Sequence, residues 1–252
     1  MRILVFQHVA VEHPGIFRSF WTEAGHDWRA VELDAREAIP NLDSFDLLVV
    51  MGGPMDVWQD KAYPWLVREK AAIRRWVRDL KRPYFGVCLG HQLLAAALGG
   101  AAGPMARPEV GLARVDLTPD GQDDPLFLGF EAGFETFQWH GAEVTRLPEG
   151  ARILAGNSAC PAQAIRVGPH AYGLQFHTEI ESTAVGEWEQ IPEYKASLEQ
   201  ALGAEEAARL GATIAPKMAA FNAAARLIND NLFGILAKAS QKQSVCAPTP
   251  RA

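Results

Sequence analysis

The sequence predicts an α/β protein built on a mostly parallel sheet with helices covering both faces. Three observations lead there. Apolar runs over 2–7, 45–51 and 82–87 have strand length and are too short for helices. Helix-patterned stretches lie between them, so strands and helices alternate along the chain. Gln7-His8, Gly52-Gly53-Pro54 and Cys88 all fall at the carboxyl ends of these runs, where open α/β sheets bind ligands.

Taken in order, 2–7 reads as a first strand, 15–25 as a helix, 26–33 as a second strand and 45–51 as a third. A longer helix is expected over 63–80, with Trp65, Ile73, Trp76, Val77 and Leu80 on its apolar side. Residues 82–87 form a short buried strand, and 89–98 a Leu- and Ala-rich helix closed by Gly99-Gly100. From 110 to 168 the pattern changes to short strands and turns, expected to form a small antiparallel extension. A strand follows over 171–177. Beyond 192 the chain becomes Ala- and Glu-rich, with helices expected over 193–202, 204–211 and 214–236. Phe221, Leu227, Ile228, Leu232, Phe233 and Ile235 supply an apolar face there, for packing on the sheet domain or for a partner. The polar, Pro-containing 241–252 reads as a disordered tail.

Composition narrows the classes. With 252 residues and 48% apolar content, the chain can bury a large core. A net charge of −6 argues against a nucleic-acid or acidic-membrane surface. No apolar run reaches bilayer-spanning length, and 1–6 is too short and strand-like for a signal peptide. Three unpaired-looking cysteines, Cys88, Cys160 and Cys246, fit a reducing compartment, so a cytoplasmic location is expected. No metal-ligand spacing and no phosphate-loop or dinucleotide fingerprint is found, so neither metal nor cofactor is expected.

The most informative stretch is Gly86-Val87-Cys88-Leu89-Gly90-His91-Gln92. It sets a cysteine where a strand stops and a helix begins, with glycines two residues to either side, the spacing of a nucleophile elbow. Helix N-terminal N–H groups favour a thiolate there and can hold an oxyanion. By itself, a cysteine beside glycines reads as a buried structural thiol. Phe176-His177-Thr178-Glu179 reverses that reading. On a strand, His177 and Glu179 share a side, so a carboxylate can orient an imidazole that takes a thiol proton. His91, within the elbow, reads as structural support, and His140 as a substrate contact or a loop cap.

These two motifs, with Met51-Gly52-Gly53-Pro54-Met55 after a buried strand, resemble the class-I, triad-type glutamine amidotransferase family over about residues 1–180. The resemblance implies a flavodoxin-like three-layer sandwich. It also implies a catalytic triad of Cys88, His177 and Glu179, and an oxyanion hole from the N–H groups of Gly53 and Leu89. Substrate contacts would come from Gly52, Pro54, Gln92, Gln138, Trp139, His140 and Gly141, with Trp139 where the family often has a smaller polar residue. It divides the chain into an amidotransferase domain over 1–190, a helical extension packed on it over 191–240, and the tail.

No synthetase loop of the Ser-Gly-Gly-x-Asp type is found. Met51-Gly52-Gly53-Pro54-Met55-Asp56-Val57-Trp58, Phe137-Gln138-Trp139-His140-Gly141 and the helical tail are similar to a stand-alone branch related to GMP synthase amidotransferase domains and γ-glutamyl peptide hydrolases. The expected substrate is glutamine or a γ-glutamyl small molecule. The alternatives are a glutaminase subunit feeding ammonia to a separate synthetase, a homodimer contact through the added helices, and a redox sensor or chaperone using the elbow cysteine.

Overall fold

The computed structural model describes residues 1–245, with side chains through residue 238. The first half runs β1 (Arg2–Gln7), α1 (Phe17–Glu23), β2 (Asp27–Glu32), β3 (Leu47–Val50), α2 (Trp65–Arg74), β4 (Tyr84–Val87) and α3 (Leu89–Ala97). It continues through β5 (Ala101–Leu117), α4 (Pro119–Gln122), β6 (Gly133–Arg146), β7 (Ala151–Gly156), β8 (Ala164–Val167) and β9 (Ala171–Leu174). The last part is helical: α5 (Ala184–Trp188), α6 (Pro192–Leu202), α7 (Ala204–Ala207), α8 (Leu210–Ile214) and α9 (Met218–Val245).

Among the described residues the strands form one nine-stranded sheet, in the order β2-β1-β3-β4-β9-β8-β7-β5-β6. From β2 to β9 the neighbours are parallel; from β9 to β6 they are antiparallel. The sheet is therefore mixed, and the expectation of a mostly parallel sheet with a small antiparallel extension is corrected. Its two longest strands, β5 and β6, pair with each other, so antiparallel residue pairs outnumber parallel ones. The short strands and turns expected over 110–168 are in part long strands: β5 starts at Ala101 and contains Pro104 and Pro108, residues that break strands on their own. It absorbs both prolines at a register shift between Pro104 and Glu109, and pairing with β6 carries it through.

Alternation in the parallel strands divides two cores. Ile3, Val5, Leu47, Val49, Phe85 and Val87 face Phe17, Phe20 and Trp21 of α1 and Ala225, Ile228, Leu232 and Leu236 of α9. Leu4, Phe6, Leu48 and Val50 face Leu66 and Ile73 of α2 and Leu93 and Leu94 of α3. Both faces are covered, which is why these strands read as continuous apolar runs. A third cluster joins Phe137 and Trp139 of β6 to Trp188, Tyr194, Leu198, Leu210, Ile214 and Phe221 of the helical segment. Of the apolar face expected for α9, Leu227 is exposed, while Phe233 and Ile235 pack at the core margin.

Smaller differences follow from local geometry. The α-helical part of the predicted 63–80 helix ends at Arg74, and a π-helical turn takes it to Asp79. The last parallel strand ends at Leu174, so His177 meets the sheet only through a single bridge to Phe137. α9 runs to Val245, past the start of the expected disordered tail; residues 246–252 of that tail lie outside the described residues.

Candidate active site

Cys88 occupies the junction between β4 and α3 with φ 51° and ψ −106°. For a residue with a Cβ this left-handed backbone costs on the order of 1–3 kcal/mol and must be held by its surroundings. Three contacts hold it. The Cys88 N–H donates to the Leu174 carbonyl at 2.8 Å, the Gly90 N–H to the Met51 carbonyl at 3.2 Å, and the Tyr84 hydroxyl to the Gly90 carbonyl at 2.7 Å. The flanking glycines are sterically required. A Cβ on Gly86 would lie 2.6 Å from the Gly90 carbonyl, and one on Gly90 would lie 2.1 Å from the Val50 carbonyl oxygen.

The His177 Nδ1 lies 2.6 Å from Glu179 Oε1, and the Thr178 N–H donates to Glu179 Oε2 at 3.0 Å. All three side chains of the Cys88, His177 and Glu179 group are buried. Burial pulls the His177 pKa down, but the Glu179 carboxylate and the nearby Cys88 sulfur more than offset this and hold it well above the usual histidine range. Among the described residues, His177 Nε2 itself makes no hydrogen bond to a protein group. Burial pushes the Cys88 thiol up, against the pull of His177. Gln175 Nε2 also points at the sulfur, 3.7 Å away. The Trp188 ring packs edge-on to the imidazole with centroids 4.8 Å apart, excluding water from that side.

A cavity of about 170 Å³ opens over the thiol. Of the residues expected at the site, Gly53, Pro54, Cys88, Leu89, Gln92, Trp139, His140 and Gly141 line it, while Gly52, Gln138, His177 and Glu179 do not. Gly52 is packed against Glu12, and Gln138 stands behind His140, with Oε1 and Nε2 3.1 Å apart. His140 is buried and reaches Glu109 Oε2 at 3.1 Å. Gln163 and Asn157 also donate to that carboxylate, at 2.8 and 2.6 Å. Burial pushes Glu109 up, but these donors bring it below its ordinary value. Among the described residues, neither Gly53 nor Leu89 donates its backbone N–H to another protein group.

Several residues here were not anticipated from sequence. Glu193, Tyr194 and Ser197 of α6 line the cavity. The Trp139 indole N–H donates to the Tyr194 carbonyl and to Ser197 Oγ, at 3.3 and 3.1 Å. The Tyr194 hydroxyl donates to Glu12, a buried carboxyl whose pKa burial raises. His8, Glu69 and Gln175 are also buried at or beside the site. Only His8 carried a signal, its place at the carboxyl end of the first strand.

His91, within the elbow, packs on Gly173, where a Cβ would come within 2.8 Å of Nδ1. Burial lowers its pKa to about 4, so the unfolded chain, at about 6.5, takes up the proton first as pH falls. This stabilisation is complete above pH ~6.5 and is lost toward pH 4, by about 2 kcal/mol at pH 5. A His91→Gln variant is expected to lose fewer degrees of Tm than the native chain between pH 7 and pH 5. Equal losses would assign the acid sensitivity to other groups.

Residues 21–188 match the family model described as glutamine amidotransferase class-I. The glutamine amidotransferase-like protein YfeJ of Salmonella typhimurium is 31% identical over 195 residues, covering 73% of this chain and 78% of that protein. The glutamine-hydrolyzing GMP synthase subunit of Ignicoccus hospitalis is 36% identical, covering 58% of this chain and 73% of that protein. Among solved structures, a glutamine amidotransferase of Thermotoga maritima superposes with a TM-score of 0.80 at 25% identity, covering 94% of this chain and 98% of that one. Among the described residues no helix is long and apolar enough to cross a membrane.

Proposed function

The chain belongs to the class-I glutamine amidotransferase family, whose members hydrolyse amides, and on that premise we propose that it is a stand-alone enzyme releasing glutamate from γ-glutamyl compounds. In this reading Cys88 is the nucleophile, His177 the base and acid, and Glu179 its orienter. The observation that carries it is a strained elbow thiol lining a cavity, together with a buried imidazole held 2.6 Å from a carboxylate and with its Nε2 left without a protein partner among the described residues.

Sγ attacks the γ-carbonyl carbon as His177 takes the thiol proton. The oxyanion is held by the N–H groups of Gly53 and Leu89. Collapse breaks the C–N bond, and His177 hands its proton to the leaving amine or ammonia. The γ-glutamyl thioester remains on Cys88. A water deprotonated by His177 then attacks it, and glutamate leaves with the thiol restored. Gln92, Trp139, His140 and Gly141 would hold the glutamyl end.

Residues 1–190 are the catalytic domain of flavodoxin-like layering, and 191–240 an addition to it. That addition supports the stand-alone reading, because Glu193, Tyr194 and Ser197 wall the cavity. The likeness to the Thermotoga maritima structure takes in 94% of the chain, whereas the Ignicoccus hospitalis protein matches 58%. The second reading, a subunit supplying ammonia to a synthetase, is favoured by the similarity to the glutamine-hydrolyzing GMP synthase subunits. A redox sensor is disfavoured, since a sensor thiol is exposed and of low pKa, and Cys88 is buried with its pKa raised. The reducing cytoplasm suits a free thiol nucleophile.

Glutamate release by the purified chain, from glutamine and from a panel of γ-glutamyl dipeptides, tests the proposal. Turnover of dipeptides faster than glutamine, absent in Cys88→Ala, is expected. A preference for glutamine would restore the ammonia-supplying reading, and turnover persisting in Cys88→Ala would remove Cys88 from the mechanism.

A further inference from the structure

His8 is fully buried at the carboxyl end of β1, stacked near Trp65 with ring centroids 5.5 Å apart. Its Nδ1 lies 2.7 Å from the Gly52 carbonyl oxygen, and its Nε2 lies 2.9 Å from Glu69 Oε1. A carbonyl can only accept, so Nδ1 carries a proton and donates it to Gly52. Glu69 holds the far side of the ring, with both side chains at 0% exposure. Neither residue has a part in the bond-making steps above.

The consequence lies in the peptide that His8 grips. The Gly52–Gly53 bond is trans and planar, so its C=O and N–H point in opposite directions. Anchoring the Gly52 carbonyl on His8 therefore turns the Gly53 N–H away from His8. Gly53 lines the cavity beside Cys88 and Leu89, where the oxyanion would form. A half-turn of this peptide would set N–H against N–H at His8 and a carbonyl dipole toward the oxyanion. Two glycines offer little intrinsic resistance to such a turn, and their side-chain positions are occupied. A Cβ on Gly52 would lie 2.4 Å from Glu12 Oε2, and one on Gly53 would lie 2.6 Å from Met55 Sδ and 2.9 Å from His8 Cβ. Orientation is therefore left to the hydrogen bond.

We propose that the buried His8–Glu69 pair is a positioning device that locks the Gly52–Gly53 peptide in the anion-binding orientation in the free chain. The proposal rests on the thiol mechanism proposed above. On this reading the oxyanion hole is complete before any partner docks.

Two double variants test it. His8→Leu/Glu69→Leu removes both buried polar groups and the donor. His8→Asn/Glu69→Gln also removes the charge, but the asparagine amide can still donate to Gly52. The apolar pair is expected to lose about 10²–10³-fold in kcat, the scale of one lost oxyanion donor. Its KM and its rate of Cys88 alkylation by iodoacetamide, a displacement that needs no oxyanion hole, stay within about threefold. The amide pair recovers at least tenfold in kcat. Unchanged kcat in the apolar pair, equal losses in both pairs, or alkylation falling in step with kcat would overturn the positioning role. A measurement on the native chain needs no variant: the ¹⁵N imidazole spectrum should show His8 Nδ1 protonated, and an unprotonated Nδ1 would refute the lock. Native turnover that survives Cys88→Ala would instead fail the mechanism, a separate result.

Discussion

γ-Glutamyl hydrolysis by a Glu179→Gln variant is expected to fall by about three to four orders of magnitude in kcat, approaching the loss in Cys88→Ala. The reason is a tautomer. The Thr178 N–H donates to Glu179 Oε2, so a glutamine here keeps its oxygen on that side and turns its NH2 toward His177. His177 Nδ1 must then accept instead of donate, and the ring's proton moves to Nε2, leaving no base for the thiol. The same change can be read by alkylation. Glu179 holds the His177 pKa up, and the imidazole in turn holds the Cys88 thiol down against burial. Without the carboxylate the imidazolium is lost at lower pH, the thiolate loses its partner, and the midpoint of Cys88 alkylation moves to higher pH. An unmoved midpoint would mean that Glu179 does not act through His177.

Gly90→Ala is expected to lower stability by about 3 kcal/mol, at the upper end for overpacking, because the atom it meets is backbone. The new Cβ falls 2.1 Å from the Val50 carbonyl oxygen, so α3 must retreat from β3. That movement carries Cys88 and the Leu89 N–H with it, and a shift of about 1 Å at reacting atoms costs on the order of 10²-fold. At roughly 2–4 °C per kcal/mol, the Tm should drop by about 6–12 °C. Gly186→Ala is the matched control. It lies in α5 with nothing within 4 Å of its Cβ position, and should raise stability by about 0.5–1 kcal/mol. Similar Tm values for the two variants would show that the elbow tolerates a side chain at position 90.

The parts of the site that were legible in sequence are those built by neighbours in the chain. A left-handed cysteine between a strand and a helix packed this closely admits only glycine at 86 and 90, so the elbow left a local mark. His177 and Glu179 stand two residues apart and still meet, although the strand expected to align them stops at Leu174. What was not legible joins distant residues. Glu69 reads as an ordinary charge on a helix until α2 packs down and buries it against His8, 61 positions away. Glu12 and Tyr194 are 182 positions apart. The length of β5 was hidden for a related reason: its prolines are breakers on their own, and only the pairing with β6 overrides them.

The sequence by itself determined the elbow, the family and the alternating strands of the parallel half, because backbone strain, side-chain volume and burial on both faces restrict residue types position by position. Tertiary structure alone decided that the sheet is mixed, that α6 walls the cavity, and that a buried histidine–carboxylate pair grips the Gly52 carbonyl. Each of these depends on long-range packing. Packing turns exposed-looking polar residues into desolvated ones that must find partners, and no local pattern records which partners they find.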